Sequence, residues 1–408
     1  MKKFFATLIS ATLLCSSAAA ADYAVGAFFS SDADVNTQLY RSDDMVHMDH
    51  LLSPENLAGR DPSIRYRNGT CYICFVEPAQ TFKILSTTDF ETWTTKSFNV
   101  IERDEKYPAI WAPDLFIDDD GAAYVYFSKQ KASKGGEKVF DIYVTRAASI
   151  DDMNFEPAVK VPLSDYPSVI DAHVCKIDGA YYMIVKDEKI RTNNDNKSPH
   201  LFRSTEPDKN FVEVEDWALS AVRGYEGFSM VEREGKIYIY ADNYSGKYDA
   251  APPSHHTVWS VDKENFEYGP FRAEYVESVR PMRHGSVIMI NDPKLNQLLG
   301  SMPVERASEE IPTRTITIER DDYGTGKGHE IEIEKFAPAP NVVYRVPKKT
   351  RVHVGDLVNA YGVDRMEYVL EAGAFIHIEN ILKHDNDSDR QIKIILRRNN
   401  GGWNLSKK

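Results

Sequence analysis

Four stretches of this 408-residue chain share one pattern: an acid, a strand-like run, a polar turn with glycine, and a second strand-like run rich in tyrosine. They are Asp61 to Gly69, Asp114 to Gly121, Asp171 to Gly179 and Glu226 to Gly235. The turn glycines are 52, 58 and 56 residues apart. Self-similarity with a period of about 50 residues marks the four-stranded blade of a β-propeller. Each acid precedes its glycine by seven to nine residues, which is one strand plus half a turn. The acids are therefore expected in one register, at the outer end of the first strand of each blade. That strand lines the central channel, so acids far apart in sequence should converge on one mouth.

The rest of the chain fits a ring of such units. Helical periodicity is nearly absent, and strand signals dominate, as in Tyr124 to Phe127, Tyr181 to Val185 and Ile237 to Tyr240. Segments such as Ser86 to Trp93 read as a polar turn that tucks an aromatic ring under its blade. A fifth unit begins near Arg283 to Ile290. The segment from Ala24 to Leu51 precedes the first acid and is expected to complete the last blade, closing the ring and removing exposed sheet edges. The fold class is thus all-β, a five-bladed propeller over residues 22–335. The Pro-rich stretch Phe336 to Pro340 reads as a boundary, followed by a small β-rich region over 340–408.

Composition narrows the partners. Lys2 and Lys3, the apolar run Phe4 to Leu14 and the small residues Ser16 to Ala21 form a bacterial-type signal peptide over 1–21, too short in its apolar run to span a bilayer. Export to the periplasm or medium is the expectation, with no membrane span. Losing the two lysines takes the net charge from −13 to −15, which argues against nucleic-acid binding. Cys71 and Cys74 are three apart on a strand and point to opposite faces, so they read as buried thiols rather than as a metal or redox pair.

The motifs Gly59-Arg60-Asp61-Pro62, Trp111-Ala112-Pro113-Asp114, Ile170-Asp171-Ala172, Glu226-Gly227 and Arg283-His284-Gly285-Ser286 follow one another in the order of glycoside hydrolase family 43, which this chain resembles from Ala24 to Met302. The resemblance implies a five-bladed propeller of inverting glycosidases acting on arabinose- or xylose-containing, and in some members galactose-containing, plant polysaccharides. An exo-acting α-L-arabinofuranosidase is the expected activity, with a carbohydrate substrate and no required cofactor. Asp61 matches the general base, Glu226 the general acid, and Asp171 a third carboxylate that raises the pKa of the acid by like-charge proximity. Phe228 departs from the family, which usually has proline after Glu-Gly.

Other residues have both a bland and a functional interpretation. Asp114 is a structural or subsite acid. Trp111 is a sugar-stacking platform or blade packing, and both are carried as substrate-binding candidates. Arg283 pairs with substrate or with a carboxylate. His284 resembles the family's channel histidine, a candidate contact for a structural calcium. Lys186, Asp187 and Glu188 read as a solvated charge run, and His255 and His256 as a loop near the pocket rim. Two rival functions stand beside the hydrolase. A retaining fructan-hydrolase type usually carries Asn-Asp-Pro and Glu-Cys where this chain has Arg60-Asp61-Pro62 and Glu226-Gly227. A non-catalytic carbohydrate-binding propeller would have lost one of the three acids.

Overall fold

The computed structural model describes residues 22–31, 34–54, 57, 59–76, 81–100, 109–131, 138–163, 168–188, 198–244, 255–306, 313–359, 363–399 and 402–406. The expected signal peptide lies outside the described residues.

The 24–289 segment is a ring of five sheets, antiparallel throughout except for one short parallel pair in the closing sheet. The chain begins with β1 (Ala24–Ser31), β2 (Asp34–Ser42) and β3 (His47–Leu52). It then builds four complete blades: β4 (Arg60–Arg67), β5 (Thr70–Val76), β6 (Phe82–Thr87) and β7 (Thr94–Phe98); β8 (Ile110–Ile117), β9 (Ala123–Lys131), β10 (Val139–Ala147) and β11 (Val159–Lys160); β12 (Val169–Ile177), β13 (Ala180–Asp187), β14 (Pro199–Ser204) and β15 (Val212–Glu213); β16 (Glu226–Arg233), β17 (Lys236–Asn243), β18 (His255–Asp262) and β19 (Arg272–Tyr275). After the short β20 (Glu277–Ser278), β21 (Gly285–Met289) pairs with β1 and becomes the inner strand of a fifth blade whose outer strands are β1, β2 and β3. The two ends of the ring are thus sewn into one sheet, as the N-terminal strand signals implied. The seam is tight: a Cβ on Gly285 would stand 2.0 Å from the Ala27 carbonyl oxygen.

Local chemistry sets the hairpins. Asn68-Gly69, Asp178-Gly179 and Glu234-Gly235 are two-residue turns with positive φ at both positions, the type I′ geometry that matches strand twist. Large apolar side chains fill the spaces between blades, as Tyr126, Val144, Val174, Met183 and Phe202 do between the second and third. Phe90 sits buried beneath its turn, its N–H donating to Thr87 Oγ1 at 2.9 Å, as the polar-turn pattern implied. Cys71 and Cys74 are free, buried, and packed into different clusters on opposite faces of β5.

One helix was not legible in the hydrophobic pattern. It is α1 (Pro293–Ser301), with Asp292 accepting from Leu295 N at 2.9 Å as N-cap and proline in the first turn, a signal the Asp292-Pro293 pair does carry.

The C-terminal region is built from β22 (Arg314–Thr317), β23 (Glu330–Phe336), β24 (Val342–Val346), β25 (Arg351–Leu357), β26 (Arg365–Leu370), β27 (Phe375–Ile378), β28 (Leu382–Asp385), β29 (Ile392–Asn399) and β30 (Gly402–Leu405). From β22 to β27 successive strands alternate between two sheets, and the strands within each sheet run parallel. Because β22 and β23 pair with these later strands, the Pro-rich stretch lies inside this region rather than ahead of it. The region packs on the third and fourth blades through a shared apolar cluster that includes Trp217, Trp259, Phe336 and Tyr368.

Candidate active site

The inner strands of four blades carry the same irregularity. Each has a bulge in which two residues face one on the neighbouring strand, between Arg60 and Ser63, Trp111 and Asp114, Ile170 and His173, and Glu226 and Ser229. The first bulged residue is left-handed in each: Asp61 (φ 53), Ala112 (φ 49), Asp171 (φ 57) and Gly227 (φ 61). Bulges re-aim side chains, and a left-handed aspartate costs about 1–2 kcal/mol that the surrounding structure must supply. Asp61 and Asp171 therefore occupy one structural position in two blades. Glu226 sits one residue earlier, in the place held by Arg60, Trp111 and Ile170.

Asp114 does not share that register. It lies two residues beyond Ala112, the residue equivalent to Asp61 and Asp171, and so matches Ser63, His173 and Ser229. The spacing to Gly121 misleads because the hairpin at 118–122 is three residues longer than the two-residue turns elsewhere. The Asp114 carboxylate accepts from Ser63 Oγ (2.9 Å), Arg65 NH2 (3.1 Å) and Val174 N (2.9 Å), and contacts His173 Nδ1 (3.0 Å). Burial raises its pKa, but Arg65 and His173 outweigh that and bring it to about 2. It belongs to a belt of side chains tying blade to blade: Ser286 to Ile64 N (2.7 Å), Ser63 to Leu115 N (3.0 Å), Asp114 to Val174 N, and His173 Nε2 to the Met230 carbonyl (3.3 Å).

Above this belt the three expected acids come together around His284. Its Nδ1 is 3.6 Å from Asp61 Oδ1 and 3.9 Å from Asp171 Oδ1. Asp171 Oδ2 accepts from Gly227 N at 3.3 Å, which ties it to the residue after Glu226. Gly227 is required twice over, by its φ and because a Cβ there would stand 2.5 Å from the His284 ring. Asp61 and Asp171 are 9% and 5% exposed, so each is a carboxyl in a confined, partly dry pit.

Two cations that complete the site had weaker signals. Lys186 is not a solvated charge: it is 1% exposed, with Nζ 2.8 Å from Glu226 Oε2, 3.2 Å from Glu188 Oε2 and 3.9 Å from Asp171 Oδ2. Its place opposite Ile170, next to Asp171 in the bulge, was the signal available in the sequence. Arg283 takes the carboxylate-pairing alternative, with NH2 2.6 Å from Glu226 Oε1 and Nε on Asp242 Oδ2. Asp242 is fully buried, and burial holds its carboxyl well above the usual range despite Arg283.

These cations reverse the expected order of the two acids. Burial raises Glu226, but Lys186 and then Arg283 outweigh it and bring the group down to about 2. Burial pushes Asp171 up to about 6, against the pull of His284 and Lys186. Of these two groups, Asp171 is the one that keeps its proton up to about pH 6.

Trp111 occupies in the second blade the place of Glu226 in the fourth. It is half-buried, its ring 4.3 Å from that of Phe140, with Lys138 Nζ 5.4 Å from the ring centre. Phe228 packs near-parallel to Trp259 at 6.3 Å. His255 and His256 open β18 rather than forming a rim loop, and His256 is buried edge-on against Phe28 at 4.8 Å. A calcium cage does not fit the described residues here. Calcium takes about 6–8 oxygen ligands, whereas His284 offers nitrogen and the Asp114 oxygens are already engaged.

The model of the glycosyl hydrolases family 43 matches residues 56–266. The chain belongs to that family and is a glycoside hydrolase. None of the curated proteins matches the sequence. Similar solved structures include an α-L-arabinofuranosidase from Lactobacillus brevis, 16% identical, covering 53% of this chain and 72% of the other with a TM-score of 0.42. The GH43_1 enzyme from Xanthomonas citri complexed with xylose is 18% identical, covering 60% and 86%, with a TM-score of 0.41. An exo-β-1,3-galactanase from Phanerochaete chrysosporium with β-1,3-galactotriose is 13% identical, covering 53% and 50%, with a TM-score of 0.39. Among the described residues no helix is long and apolar enough to cross a membrane.

Proposed function

We propose that this glycoside hydrolase is an exported, inverting, exo-acting enzyme that releases a pentose, α-L-arabinofuranose first among the candidates, from plant polysaccharides or their fragments. The observation that carries the reading is the meeting of Asp61, Asp171 and Glu226, from three blades, around His284. Asp61 is the general base: it takes a proton from water as the water oxygen bonds to the anomeric carbon. The glycosidic C–O bond breaks on the opposite face, and the departing oxygen takes a proton from Glu226. Asp171 holds the proton store beside the acid. Trp111, at the rim position of the second blade, offers an aromatic face to a sugar. Carbohydrate is the only partner proposed.

A screen against arabinan, arabinoxylan, arabinogalactan and the matching aryl glycosides tests the substrate, with Asp61→Asn and Glu226→Gln measured beside the wild type. Loss of turnover in both variants, with the thermal transition kept, supports the roles. Turnover retained in either removes that residue from the chemistry, and binding without turnover across the panel returns the chain to a carbohydrate-binding role.

A further inference from the structure

Both oxygens of Glu226 are engaged, with the Lys186 ammonium at 2.8 Å on one and the Arg283 guanidinium at 2.6 Å on the other. A carboxylate paired with a cation on each oxygen holds a proton poorly. Yet the acid of an inverting glycosidase must carry one, so one cation has to leave. Arg283 is fixed by Asp242, which its Nε engages in the buried interior of the fourth blade. Lys186 has alternatives. Its ammonium already lies within 3.2 Å of Glu188 and 3.9 Å of Asp171, and 5.1 Å from the centre of the Tyr244 ring. Three carboxylates share it, and a flexible four-carbon stem lets it change partners without backbone motion.

We propose that Lys186 is a positioning residue that exchanges partners: it holds Glu226 as a carboxylate while the pit is empty and moves onto Asp171 and Glu188 when a sugar fills it. The inference rests on the hydrolase reading. The balance is one proton and one cation moving in opposite directions. As the ammonium approaches Asp171, the Asp171 O–H bond breaks, its proton bonds to the vacated Glu226 oxygen, and Asp171 is left as the carboxylate paired with Lys186. No other reactant is consumed. The raised pKa of Asp171 and the lowered pKa of Glu226 fit its starting state. The other titratable or charged groups facing the pair are Asp61 and His284 from the first and fifth blades, Arg283 from the fifth, and Asp242 and Tyr244 from the fourth.

The test is a carbon-13 NMR titration of the side-chain carboxyls in the ligand-free wild-type protein, Lys186→Met and Lys186→Arg, with Glu226→Gln to assign the signal. Glu226 is expected to remain ionised below pH 3 in the wild type and in Lys186→Arg, and to titrate at least about one pH unit higher in Lys186→Met. A wild-type Glu226 that titrates at the ordinary glutamate value, or one unmoved by Lys186→Met, overturns the proposal, and the first outcome needs no variant to fold. On a glycoside that is turned over, the basic limb of kcat/KM, which reports the free enzyme, should lie below that of kcat in the wild type and move up in Lys186→Met. Coincident limbs in the wild type also overturn it. Failure of the wild type to turn over any glycoside counts against the hydrolase reading instead, and the titration still decides whether Lys186 sets the charge of Glu226.

Discussion

Glu226 and Asp242 stand directly opposite each other on neighbouring strands of the fourth blade, and a single guanidinium, that of Arg283, serves both. Two carboxylates in that arrangement repel. The guanidinium fork converts the repulsion into a fixed bridge, one nitrogen to each acid, and so aims Glu226 into the pit from the segment just ahead of β21.

Removing that bridge should cost more than one ion pair. Arg283→Met leaves Asp242 buried with its cation gone, and breaking a buried pair on one side typically costs about 3–5 kcal/mol. A lowered thermal transition together with lost turnover is expected. Arg283→Lys should recover stability only in part, because an ammonium cannot reproduce the two-pronged geometry. Full recovery by lysine would show that the charge alone matters.

Asp171 gives the site a pH dependence of unusual sign. Its folded pKa, about 6, lies above that of an unfolded aspartate, about 3.9. The folded protein therefore binds the proton more tightly, and this group's contribution to stability is full below pH 4 and is lost as pH rises through 6. Asp171→Asn should accordingly melt above the wild type at pH 8, with the gap narrowing towards pH 4, while losing turnover. Thermal scans across that range read the narrowing directly, and a gap that widens on acidification would contradict it.

Asp114 should behave in the opposite way. Its carboxyl, held at about 2, contributes stability above pH 4 that is lost as pH falls towards 2. Asp114→Asn is expected to lower stability at pH 7 by about 3–5 kcal/mol, through the uncompensated Arg65, while KM below the melting range stays near the wild-type value. A large KM increase without a fall in stability would restore the substrate-binding assignment.

Gly227→Ala isolates backbone geometry. The left-handed φ alone should cost about 1–2 kcal/mol, and the new methyl group must displace the His284 ring. Because that ring lies between Asp61 and Asp171, turnover should fall by more than the stability loss explains, measured well below the melting temperature.

The ring itself was readable in the chain because its cause is local: alternating strands, turn glycines and a period of one blade. Asp61, Asp171 and Glu226 were found through the same count. Asp114 was misplaced because a count of residues from Gly121 includes a longer hairpin, whereas register is set by pairing across strands. Lys186 was missed for a related reason. Beside Asp187 and Glu188 it looks like exposed charge, and only the position of its strand across from Ile170 turns it into the pit. The alternation of the C-terminal strands between two sheets is a matter of parallel, non-local pairing, for which the sequence has no short-range signal.

The central claim is that water attacks from the Asp61 side while the leaving oxygen departs past Glu226. Proton NMR of the first sugar released from a cleaved aryl glycoside, recorded before mutarotation, tests it most directly. Inversion at the anomeric carbon is the predicted result, and a product that keeps the anomeric configuration of its substrate would contradict the account.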